Sequence, residues 1–79
     1  MGEAKKLPSV GRIVHYVDND GGWAHRAAII TEVLPDNEST TQPVALCVFG
    51  VRGLLFPSPV LFDASGETFG TWHWPEYVG

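Results

Sequence analysis

Four side chains in this 79-residue sequence are common metal ligands, namely His15, His25, His73 and Cys47, and no C-x-x-C or H-x-x-x-H pair links any of them. A tetrahedral site legible in sequence needs closely spaced ligands, so the spacing predicts no metal centre. Cys47 sits inside Val44-Ala45-Leu46-Cys47-Val48-Phe49, the most apolar run of the chain. A nucleophilic thiolate needs an electropositive, accessible setting, so this cysteine reads as a core residue. Being alone, it also excludes a disulfide within the chain. The carboxylates Asp18, Asp20, Asp36, Glu38, Asp63 and Glu67 all fall in turn-like contexts, which suit capping better than paired acid–base work. No glycine-rich loop opens a helix, so the phosphate cradle of nucleotide-dependent enzymes is missing too. The residues describe a binder rather than an enzyme, with no catalytic residue, metal or cofactor expected.

Hydrogen-bonding and aromatic side chains instead concentrate at the two ends of the chain. Arg12, His15 and Tyr16 lie near the start, and Thr71-Trp72-His73-Trp74 near the finish. On a strand, Trp72 and Trp74 share one face while Thr71 and His73 share the other. Two indoles two residues apart build a flat apolar wall, suited to a core, to a subunit interface or to stacking on a heterocycle. The polar groups among them stand in apolar strand positions, where burial without a partner costs free energy. A bound ligand is one such partner. Arg26 and Arg52 read either as solvated cations or as phosphate contacts.

The elements that must position these groups are short strands. Val10 to Val17 is rich in β-branched and aromatic residues, with Ile13, His15 and Val17 on one face and Arg12, Val14 and Tyr16 on the other. The Asx- and glycine-rich residues 18–22 predict a reversal. A second strand should run from about His25 to Leu34; alanines there favour a helix, but the crowded β-branched residues and Pro35 decide for a strand. Residues 35–43 predict an exposed loop, and the unbroken apolar run after it a strand buried on both sides. Gly50 to Gly53 supplies a turn into a return strand at 54–56, and Pro57-Ser58-Pro59 interrupts pairing. Val60 to Phe62 reads as one more short strand, residues 64–67 as a turn, and Thr71 to Trp74 as the last strand. The sum is an all-β domain over residues 10–79 behind an N-terminal arm at 1–9. Its strongly bent antiparallel sheet of five to six strands is expected to close, or nearly close, as an SH3-like barrel. An OB-type barrel, which usually needs a longer chain and a helix, ranks second.

Composition bears on partners. Five basic against nine acidic side chains give a net charge of −4. Duplex nucleic acid needs a basic stripe, so it is not the expected partner. No apolar run reaches membrane-spanning length and no signal-peptide pattern opens the chain, so a soluble, intracellular protein is expected. Charged residues make up 18% of the sequence, below the roughly 25% usual for soluble domains. Part of the surface is therefore expected to be covered by further copies, as a dimer or tetramer.

The segment Pro8-Ser9-Val10-Gly11-Arg12-Ile13-Val14-His15-Tyr16 and the closing Gly70-Thr71-Trp72-His73-Trp74-Pro75-Glu76 resemble a family of small phage and prophage proteins with P-x-x-G-R-I-V-H-Y at the start and W-H-W-P at the end. Residues 17–69 carry no matched motif. That family looks like one that includes phage anti-CBASS sponges, which sequester the cyclic dinucleotide signal of bacterial antiphage defence, cyclic GMP–AMP foremost, in a tetramer. The resemblance implies an immune-evasion protein of the host bacterial cytoplasm that binds a cyclic dinucleotide without cleaving it. On this reading Tyr16, Trp72 and Trp74 stack on bases or at an interface, Arg12 and Arg26 meet phosphate, and His15, Thr71 and His73 contact base edges or ribose. A protein-binding or virion-associated SH3-like module is the alternative, and a nuclease acting on the signal a remoter one.

Overall fold

β-Branched and aromatic residues recur in most of the segments that pair in the computed structural model, which describes residues 7–18, 24–35 and 41–75. Six strands follow in chain order: β1 (Ile13–Asp18), β2 (Ala24–Val33), β3 (Val44–Gly50), β4 (Gly53–Leu55), β5 (Leu61–Phe62) and β6 (Thr71–His73). They form one sheet in the order β4-β3-β2-β1-β6-β5. Residues 1–6 of the expected arm at 1–9, most of the expected turn at 18–22 and the middle of the expected loop at 35–43 lie outside the described residues.

β1 begins three residues later than the alternation predicts, because Ser9 to Arg12 forms a turn closed by the Arg12 amide on the Ser9 carbonyl at 3.2 Å. Gly11 takes φ +93° there, the region that the third residue of a type II turn needs. The Gly11 amide donates to the Ile30 carbonyl at 2.8 Å, and the Ile30 amide donates to the Arg12 carbonyl at 3.0 Å. Two residues thus oppose one, a bulge of the kind that requires glycine first. It aims Arg12 along the same face as Val14 and Tyr16.

The core lies on that face. Val14, Ala28, Ile30, Val44, Leu46, Val48, Val60 and Trp72 are buried together, with Tyr16, Phe62 and Trp74 packed against them. β3 departs from expectation. Val44, Leu46 and Val48 are buried, but Ala45 and Cys47 are only half-buried and Phe49 is exposed, so the strand covers one face and not two. An apolar run conceals this alternation, since its outer residues are as hydrophobic as its inner ones.

Two further expectations are corrected. The sheet is mixed, because β5 and β6 pair in parallel, Leu61 with Thr71 and Phe62 with Trp72. Residues 63–70 accordingly cross between parallel strands, and the expected turn at 64–67 lies within them, where the Gly66 amide donates to the Asp63 carbonyl at 3.1 Å; the paired strands are so short that eight residues suffice to return the chain. The sheet is also open. Segment 57–62 runs beside the start of β3 and makes one isolated bridge, Val44 with Val60, but no continuous ladder closes a barrel among the described residues. Pro57 and Pro59 have no N–H for such a ladder, and β5 is too short to supply the rest.

Candidate functional site

Sheet alternation divides the candidate residues between two faces. Arg12, Tyr16, Arg26, Trp72 and Trp74 lie on the core side, and His15, Thr71 and His73 on the other. Trp72 is fully buried; its Nε1 donates to the Gln42 carbonyl at 3.0 Å, and its ring meets Phe62 and Trp74 edge-on at 4.8 and 5.2 Å between centroids. Of the roles open to it from sequence, it takes the core one and presents no surface to a ligand within the single chain. Trp74 is half-buried at the rim of the same cluster. The exposed Arg12 places its guanidinium carbon 5.2 Å from the centre of the Trp74 ring. A cation over an indole face is attracted by the ring quadrupole, by about 0.5–1 kcal/mol at an exposed site. This contact joins the two ends of the chain.

Arg26 and Tyr16 are paired across β1 and β2. The Arg26 Nε contacts Asp18 Oδ2 at 3.4 Å, both side chains less than a fifth exposed, so its charge is already compensated. Burial, and then the nearby Asp18 charge, push the Tyr16 phenol above its ordinary pKa, so it stays a neutral hydrogen-bonding group. Arg52 stands apart in the β3–β4 turn, beside a cavity of about 260 Å³ lined also by Asp18 and Leu55. Thr71 donates its hydroxyl to the Thr68 carbonyl at 2.6 Å, which ties the crossover to β6.

The second face carries an arrangement that sequence spacing missed. His15 and His73 are direct partners across β1 and β6, and His25 lies diagonally across β1 and β2, where it pairs with Val17. One ring nitrogen of each histidine lies within 4.8 Å of the others. Ring centroids are 4.8 Å apart for His25 and His73, 5.5 Å for His15 and His73, and 6.2 Å for His15 and His25, all with steep interplanar angles. Strand pairing brings together residues far apart in sequence, so ligand spacing along the chain had no power to reveal them. The signal available was that His15 and His73 fall on the outer face of their predicted strands.

The crossover covers this face. Asp63 Oδ1 accepts from the Ser65 amide at 3.1 Å and its hydroxyl at 2.9 Å, the Ser65 Oγ accepts from the Glu67 amide at 3.1 Å, and the Gly70 amide donates to the Val17 carbonyl at 2.8 Å. Gly66 is thereby held against the imidazoles. A cavity of about 530 Å³, within the range of small-molecule sites, opens beside them and is lined by His25, Ser65, Gly66 and Glu67.

No family model, no curated protein and no solved structure matches this chain.

Proposed function

We propose that the protein captures a cyclic dinucleotide defence signal of the cyclic GMP–AMP kind and holds it intact between copies of itself, lowering the free signal available to a CBASS effector in the bacterial host. The observation that carries this reading is the Arg12–Trp74 pair at the rim of the core face. A cyclic dinucleotide presents two phosphates and two flat bases in near two-fold symmetry, and two copies related by a dyad offer one guanidinium and one indole to each half. Stacking is worth about 1–3 kcal/mol per base, and each guanidinium adds a charge-assisted bond to phosphate. Two stacks and two charge-assisted bonds sum to about 5–12 kcal/mol before the cost of association, so the upper part of that range overlaps the roughly −8 kcal/mol of micromolar binding. Two phosphates need only two cations, so a net charge of −4 is no obstacle.

One observation favours the alternative, a protein-binding module. Phe49, Val51, Leu54, Leu55 and Phe56 form an exposed apolar stretch around the β3–β4 turn, with Val51 and Phe56 70% and 71% exposed. Association between copies would cover the same stretch, which makes it compatible with both readings.

Incubation of the purified full chain with a panel of cyclic di- and trinucleotides, removal of free nucleotide, and heat release of what remains separates these readings. Release of intact cyclic dinucleotide supports sequestration. Linearised product indicates a nuclease, and absence of capture leaves the protein-binding module.

A further inference from the structure

We propose that His15, His25 and His73 bind a zinc ion through three imidazole nitrogens, leaving its fourth position open to the cavity beside Ser65, Gly66 and Glu67. The proposal is independent of nucleotide capture.

Three adjacent strands carry the ligands, and the ladders that fix His15 against His73 also fix His25 on the diagonal. The backbone therefore presents the set before any ion arrives. Nitrogens at most 4.8 Å apart are close to the geometry required. A Zn–N distance of 2.0–2.1 Å with tetrahedral angles puts ligand nitrogens about 3.3 Å apart. The exposed His25 ring can close the difference by side-chain rotation, whereas His73 is only 3% exposed and stays in place.

Two features point to a guest rather than to packing alone. The His15 Nδ1 is buried and meets no hydrogen-bond partner among the described residues, an unfavourable state that coordination would relieve. A Cβ at Gly66 would stand 3.2 Å from His73 Cε1 and 3.4 Å from His25 Cε1. Glycine at this position keeps the crossover from crowding the rings.

The donor set selects the metal. Imidazole nitrogens suit zinc, copper and nickel, whereas magnesium and calcium prefer oxygen. Three histidines with one open position is an established zinc arrangement. The open position would take water or an anionic oxygen from a molecule in the cavity.

The test uses the tag-free full chain, stripped with chelator and dialysed, then titrated calorimetrically with zinc chloride. A parallel titration with cobalt(II) reads the visible bands of four-coordinate metal. Expected are one ion per chain, four-coordinate cobalt bands, and at least about a tenfold loss of affinity in His25→Ala, since even outer-shell changes cost that much. His25 is exposed, so the metal-free variant should melt like the metal-free wild type. Cys47→Ser should bind as the wild type does. Failure of the stripped wild type to bind zinc overturns the proposal, as does undiminished binding by His25→Ala or loss of binding in Cys47→Ser.

Discussion

His15 on β1 and His73 on β6 are cross-strand partners whose rings stand 5.5 Å apart at 87° to one another, on the sheet face opposite the core. Their meeting depends on register. A one-residue slip of β6 would send His73 to the core side and Trp72 to the crossover side, so burial of Trp72 and proximity of the histidines are two consequences of one pairing.

Gly66→Ala tests how tightly the crossover sits on those rings. Its φ of +69° disfavours a side chain, and the added Cβ would press on His73. The variant should lose about 1–3 kcal/mol of stability in urea unfolding without metal. A midpoint equal to the wild type would show that the crossover is not held against the imidazoles.

Trp72→Ala should cost about 3–5 kcal/mol, the range for an emptied aromatic site, and it also strips the Gln42 carbonyl of its indole donor. In a domain whose whole stability is about 5–15 kcal/mol, that leaves little folded protein at elevated temperature. Circular dichroism melting is the measurement, and a loss below about 1 kcal/mol would contradict a core role.

Arg12→Ala should lower cyclic dinucleotide capture at least about tenfold, the effect of losing one charge-assisted bond of about 1.5 kcal/mol. Because the Arg12–Trp74 contact is exposed, the melting temperature should change little. Equilibrium binding to labelled nucleotide reads the first quantity, and unchanged affinity would remove Arg12 from the site.

Acid should loosen the crossover through Asp63. Hydrogen bonds from Thr68, then from the Ser65 hydroxyl and amide, hold its carboxyl below the usual carboxylate range, with the charge of His73 acting in the same direction and burial against it. A carboxylate with a depressed folded pKa stabilises the fold above its unfolded value of about 3.9, and that contribution disappears as pH falls through the folded value. Asp63→Asn should therefore be less stable than the wild type near neutrality and converge on it below about pH 4. Parallel urea curves for the two proteins at falling pH would expose a constant difference if Asp63 were not responsible.

Phe56→Glu should shift any oligomer toward single chains in sedimentation velocity without changing the far-UV circular dichroism of the folded chain, since the ring is 71% exposed in the isolated chain. An unaltered sedimentation coefficient in an oligomeric sample would place the association surface elsewhere.

Local chemistry was enough to determine the all-β character, the approximate position of each strand along the chain and the face assignments of Ile13, His15 and Val17 against Arg12, Val14 and Tyr16. Alternation and turn residues act over a few positions, and those signals survive in a single sequence. The turn at Ser9 to Arg12 lay within the segment Pro8 to Tyr16, yet its effect on the start of β1 came from a bond to Ile30 on another strand. Parallel pairing of β5 with β6, the failure of the barrel to close, and the assignment of Trp72 to the core all required the tertiary structure. So did the gathering of His15, His25 and His73. Which strands become neighbours depends on long-range ladders and on how a crossover packs, and neither leaves a mark in residue spacing; ligands brought together by such ladders become visible only when the register is known.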